Sequence, residues 1–307
     1  MMPDTLGTPH PLPSAASEAS SETSPQLPAG LRLGQVRLQV GDLDRSIDYY
    51  TSVLGLQIRE RDTDRAALGA LDDEHPLVEL EARPETAPLQ AHSRQGLYHF
   101  ALLVPDRAGL GRFLEHLSRT GTRIGASDHL VSEAIYLRDP DGLGIEVYAD
   151  RSRASWRRSH GELAMSTAPL DAESLLAAAD GEPWAGMPSG TVMGHLHLHV
   201  GDLDTASHFY HNALGLDRTV WSYPGALFLS AGGYHHHLGL NTWAGRQAPP
   251  PSERDARLLE WRIVLPTHRE LLEVVGRMSA TGHEVVSANS DWIVTDPWGT
   301  RLRLTGD

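Results

Sequence analysis

Apolar and polar residues alternate along 35–40, with Val36, Leu38 and Val40 on one side of an extended chain and Gln35, Arg37 and Gln39 on the other. That is the period of a half-buried strand. A GDLD turn follows at 41–44, whose aspartates suit a helix N-cap. Ile47, Tyr50 and Leu54 then recur at helical spacing until Gly55 stops the helix. A short strand is expected at Leu77–Glu81. The whole pattern returns 160 residues later: 34–56 reads GQVRLQVGDLDRSIDYYTSVLGL and 194–216 reads GHLHLHVGDLDTASHFYHNALGL. Strands at Ala226–Ser230 and His236–Leu240 extend the second copy. A match of this length marks a duplicated supersecondary unit.

The unit also repeats within each half. Residues 97–124 (LYHFALLVPDRAGLGRFLEHLSRTGTRI) are again an alternating strand, a turn and an amphipathic helix, and 258–285 matches them at Pro105/Pro266 and Gly121/Gly282. The halves close with AIYLRDPDGLGIEVY (134–148) and IVTDPWGTRLRL (293–304), each with a D-P-x-G turn between two strands. The chain thus reads as an α+β protein of four βαβββ modules. Residues 31–150 form a first domain (modules 31–90 and 95–150), and residues 190–307 a second (modules 190–245 and 256–307). Residues 151–189 read as a polar linker with a short helix near 171–179. Residues 1–30, rich in Ser, Pro, Ala, Thr and Glu and free of Lys and Arg, read as a disordered tail.

Composition narrows the chemistry. A net charge of −14 argues against nucleic acid as a partner, since neutralising phosphates takes basic patches. No apolar run approaches the roughly 18 residues that cross a membrane. Cysteine is absent, so a metal would be held by nitrogen and oxygen ligands, and the chain suits a cytoplasmic setting. A homo-oligomer is compatible with these features. The 17 histidines matter through where they cluster.

Four βαβββ modules with LGL-ended first helices and a DPDGxxxE hairpin resemble the vicinal oxygen chelate superfamily of glyoxalases, bleomycin-resistance proteins and extradiol dioxygenases, over nearly all of 31–307. The segment His129-x5-Ile135-Tyr136-x2-Asp139-Pro140-x-Gly142-x3-Glu146 is similar to the type I extradiol ring-cleavage signature. Ser127 departs from it, standing where that signature carries another small or branched residue. GLYHFALLVP (96–105), DPDGLGIEVYADR (139–151) and SAGGYHHHLGLNTWAG (230–245) resemble two-domain proteins named catechol 2,3-dioxygenase-like. The resemblance implies paired modules curled into half-barrel sheets around a metal cavity, with ligands on the first and last strands of each pair.

Pleat alternation then selects inward side chains. His195, His197 and His199 oppose Leu196, Leu198 and Val200; His235, His237 and Asn241 oppose Leu238 and Leu240; His99 opposes Phe100 and Leu102; Glu146 opposes Ile145 and Val147. Two pairings remain open. If modules pair in sequence, Gln35, Glu79, His99 and Glu146 form a glyoxalase-like set for Ni or Zn, leaving His195, Glu260 and Arg303 as a poor second site. If they pair crossed, His99, His195 and Glu146 form the two-histidine, one-carboxylate triad of a non-haem Fe(II) site, with Mn(II) as a plausible substitute. Gln35, Glu260 and Arg303 then form a degenerate site. The crossed arrangement is favoured, because it brings that triad together and the long linker permits it. It implies an extradiol-type dioxygenase acting on an aromatic vicinal diol and O2. His129 and Tyr136 would be acid–base and diol-contacting residues, and His237 a donor or substrate contact. The rivals are a glyoxalase-like isomerase or lyase and a metal-free drug-binding protein.

Overall fold

The computed structural model describes residues 26–179 and 181–307. Two curled sheets carry the chain, and both follow the crossed pairing. In the eight-stranded sheet, Val192–His199 of the third module lies antiparallel to Gly96–Leu103 of the second. In the nine-stranded sheet, Arg257–Leu265 of the fourth module pairs with Val36–Val40 of the first. Each half-barrel is therefore shared between the two halves of the chain. Within each module the last strand runs parallel to the first: Gly144–Asp150 beside Gly96–Leu103, and Leu238–Asn241 beside Val192–His199.

The helices form where the apolar spacing places them and pack on the sheets. Asp42, Asp106, Asp202 and Thr267 each accept a backbone N–H of the first turn, a cap worth about 1 kcal/mol. Leu110, Phe113 and Leu117 of Arg107–Thr120, and Leu271, Val274 and Met278 of His268–Ala280, are buried. Each such side chain contributes about 1.5–3 kcal/mol when fully removed from water. A second tie runs within each half. The helix tyrosine of one module donates to the turn aspartate of the next, Tyr50 to Asp139 at 3.1 Å and Tyr210 to Asp296 at 2.8 Å. Strands cross between the halves while these bonds run along each half, so the four modules form one interlocked body.

Two expectations change. Residues 1–25 of the expected disordered tail lie outside the described residues. Residues 26–30 do not behave as a tail: Leu27 is buried, and its N–H donates to Gly215 O at 2.9 Å. The 151–189 segment does hold a short helix (Ala172–Ala177, capped by Asp171), but it also forms a hairpin, Arg158–Ser159 with Glu162–Leu163. It lies against the eight-stranded sheet as part of the cavity wall.

Candidate metal centre and its cavity

The site is built from a row across the eight-stranded sheet. His195 pairs with Ala101, Ala101 with Glu146, and Glu146 with Tyr136, on four adjacent strands. Residues paired across strands share one face, so these side chains point the same way. Ala101 carries only a methyl group, which leaves room for His195 and Glu146 to meet over it. His99, two residues back on the same strand, joins them from the same face.

The result is tight. Glu146 Oε2 lies 3.0 Å from His99 Nε2 and 3.1 Å from His195 Nε2, and one donor atom from each residue falls within 4.8 Å of the others. Glu146 and His195 are each only 2% exposed. Burial lowers the pKa of both imidazoles against the pull of Glu146, so both rings are neutral near pH 7. Burial also opposes a charge on Glu146, but attraction from His195 and His99, which take up protons before Glu146 does as pH falls, outweighs that and holds its carboxyl well below the usual range. His99 Nε2 is buried and, despite its nearness to Glu146, has no well-directed hydrogen bond. Two neutral imidazoles and one carboxylate aimed at a common point, with an unpartnered buried nitrogen among them, suit a divalent first-row cation. These residues fit a metal.

The triad opens onto a cavity of about 350 Å³. Its far walls are apolar and aromatic (Tyr98, Met165, Tyr223, Phe228 and Trp243), and no Arg or Lys is among the residues lining it. His129 and Tyr136 both reach it. His129 Nδ1 lies 2.7 Å from Ser166 O, and Nε2 lies 2.6 Å from Tyr136 Oη. A carbonyl only accepts, so Nδ1 carries the proton, Nε2 is bare, and the Tyr136 hydroxyl donates to it. Burial, with Glu146 nearby, pushes the Tyr136 pKa well above its ordinary value, so it remains a phenol.

The histidine-rich tract departs from the expected alternation. The strand begins at Leu238, not His236, so the pleat does not extend through the tract. His236 is the residue that lines the metal cavity, with its ring centroid 4.1 Å from that of His195. His237, expected to face this cavity, lines a separate one and accepts the Ala231 N–H at 3.1 Å. His235 is held by Asp150 at 2.9 Å and by His236 at 2.7 Å between their Nδ1 atoms. The chain of partners fixes the tautomers. Asp150 accepts from His235 Nε2–H, His235 Nδ1 then accepts from His236 Nδ1–H, and His236 Nε2 is left with its lone pair. His199 bonds Asn241 at 2.6 Å and is not among the residues lining the cavity, whereas His197 lines it.

The in-sequence ligand set is not assembled. Glu79 lies on Val78–Ala82 of the other sheet, and Gln35 lies beside that sheet's Val36–Val40 strand, away from His99 and Glu146. In that sheet Arg303 grips Glu260 through two bonds of 2.6 and 3.2 Å. A guanidinium stands where Glu146 stands in the other sheet, and the degenerate site carries its own cation.

Comparison with known proteins agrees with this architecture. The chain is 45% identical over 268 residues to a protein of Bacillus subtilis (strain 168) named catechol-2,3-dioxygenase, covering 86% of this chain and 93% of that one. Among solved structures, a putative dioxygenase from Bacillus subtilis subsp. subtilis str. 168 superposes with a TM-score of 0.62 at 14% identity, over 92% of this chain and 86% of that one. Glyoxalase I from Zea mays superposes with a TM-score of 0.51 at 18% identity, over 90% and 92%. At these identities the likeness is one of fold. Residues 32–147 and 192–304, most of the chain, match one family description, and the protein belongs to the Glyoxalase/Bleomycin resistance protein/Dioxygenase superfamily.

Proposed function

We propose that this protein is a metal-dependent, extradiol-type ring-cleavage dioxygenase acting on catechol or a related vicinal diol with O2. The observation that carries the reading is the convergence of His99, His195 and Glu146 on one wall of an aromatic cavity. The resemblance to a relative named for that activity supports it. The three side chains would hold Fe(II), or Mn(II) with the same ligands, leaving positions for a diol and O2. Such a metal supplies the electron path between a diol and O2 that direct reaction lacks.

The chain's own residues bind and orient the diol. Tyr136 has given its proton to the hydrogen bond with His129, so its oxygen faces the cavity as an acceptor for a substrate hydroxyl. His236 Nε2, with its lone pair, is placed to accept a second hydroxyl proton, a role that suits an imidazole. Phe228, Tyr223 and Trp243 offer ring faces to an aromatic substrate and exclude water. With no cationic side chain among its lining residues, the cavity favours neutral diols over carboxylated ones, whose charge would be stranded. The glyoxalase-like reading loses its ligand set with Gln35 and Glu79 in the other sheet.

The test is metal analysis of protein purified without chelator, followed by O2 uptake on adding catechol after anaerobic Fe(II) loading. The expected result is about one metal per chain, from the one triad among the described residues, with catechol-dependent uptake and a yellow ring-opened product. Metal-loaded protein that consumes no O2 with any diol would overturn the proposal.

A further inference from the structure

A second cavity, of about 710 Å³, lies between the two half-barrels. One wall belongs to the nine-stranded sheet and includes Arg262 and Val264; the other belongs to the eight-stranded sheet and includes Met193 and Gly194. Leu31, Leu33 and Met193 give it a buried apolar floor. Its carboxylates are all committed. Asp307 pairs with Arg32 at 2.5 Å, Asp291 with Arg303 at 3.2 Å, and Asp73 accepts the Gly190 N–H at 2.9 Å.

Two of its three arginines are not. Among the described residues, neither Arg153 nor Arg262 has a carboxylate within ion-pair distance, though both line the cavity. Arg153 lies over the rings of Tyr234 and Trp156, at 5.3 and 5.4 Å, with one long bond of 3.4 Å to Gly232 O. Arg262 is half-buried, and its stem runs across Gly34, where a Cβ would come within 2.8 Å of Arg262 Cδ. A glycine at that point lets the guanidinium be laid down in a fixed direction. A partly desolvated, unpaired guanidinium is costly; Arg262 is one, and the exposed Arg153 adds a second unpaired guanidinium to the same cavity in a chain of net charge −14.

We infer that this chamber is a second ligand site, selective for an organic anion whose carboxylate or sulfonate head is held by Arg262 and Arg153 and whose apolar body lies on Leu31, Leu33 and Met193. Guanidinium groups pair with such heads through forked hydrogen bonds, and apolar walls with few placed polar groups are the usual make-up of small-molecule sites. The site is distinct from the metal centre, although Gly194 precedes the ligand His195 and His237 follows His236. It stands independently of the dioxygenase reading, because its test measures binding alone.

The probe is anilinonaphthalene sulfonate, titrated by fluorescence into the full-length chain beside phenylnaphthylamine, which has the same ring skeleton without the sulfonate. Saturable binding of the sulfonate dye is expected. Replacing both arginines (Arg153→Met with Arg262→Met) should weaken it by about tenfold or more, the worth of charge-assisted hydrogen bonds. Binding of the neutral dye should be unchanged, which also shows that the chamber is still folded. An unchanged sulfonate affinity in the double variant would overturn the inference, as would an equal loss for both dyes.

Discussion

At the scale of single residues, the metal site and its degenerate counterpart differ by a few side chains on equivalent strands. His99, His195 and Glu146 in one sheet answer to Glu260, Gln35 and Arg303 in the other. The expected consequence is asymmetric. His195→Ala removes one of the three proposed ligands from a buried centre, so its metal affinity should fall by more than the roughly 10–100-fold typical of losing an outer-shell partner. Gln35→Ala should leave metal content at the wild-type level. Metal analysis of the two purified variants decides it, and loss confined to the Gln35 variant would sink the triad. These residues were legible in the sequence because each sits on or beside a strand that alternates cleanly and recurs in register. His236 was not. Three consecutive histidines look alike in sequence, and the one that enters the cavity is chosen by where the strand begins at Leu238, which the composition of the tract does not specify.

At the scale of elements, strands and helices followed their periodicity, whereas the 151–189 segment did not announce its role. Polar composition marks it as a connection, yet Met165, Ser166 and Thr167 line the metal cavity and Ser166 O fixes the tautomer of His129. Its hairpin is pinned by Glu162, which accepts the N–H groups of Trp221 and Ser222 at 2.6 and 2.7 Å and the Ser222 hydroxyl at 2.5 Å. Those bonds anchor the loop that carries Tyr223 into the cavity. Glu162 is remote from the triad, so Glu162→Ala should leave metal content intact. It should loosen the aromatic wall and raise KM for the proposed diol substrate about fivefold, as expected for a loss of about 1 kcal/mol of positioning. Steady-state kinetics on the Fe(II)-loaded variant test this. A fall in kcat with KM unchanged would mean that the hairpin serves the chemistry and not the binding. Contacts made by a long connection arise from tertiary packing, and no local pattern encodes them.

At the scale of the whole molecule, the crossed sheets and the Tyr50–Asp139 and Tyr210–Asp296 ties make stability a property of all four modules together, and they make it depend on pH. Asp139 is fully enclosed, and burial pushes its pKa up to about 7, against the N–H groups of Leu143 and Asp141 and the hydroxyl of Tyr50, which favour the ion. In the unfolded chain an aspartate releases its proton near pH 4. Between that value and about 7 the folded state therefore holds a proton at Asp139 that the unfolded state has lost, and Asp139's contribution to stability falls as pH rises through the window. Above pH 7 both states are ionised and the contribution levels off. Three pKa units correspond to about 4 kcal/mol if Asp139 acts alone. Burial raises Asp296 in the same direction, adding to the slope. The measurement is urea denaturation between pH 5 and pH 8 on wild-type protein and on Asp139→Asn, read as the difference between the two, because the buried histidines, whose pKa burial lowers, add an opposite slope common to both. The stability of wild-type protein relative to Asp139→Asn, which cannot ionise, should fall as pH rises across that range. Parallel curves for the two proteins would mean that Asp139 is ionised throughout and that the donors around it outweigh its burial.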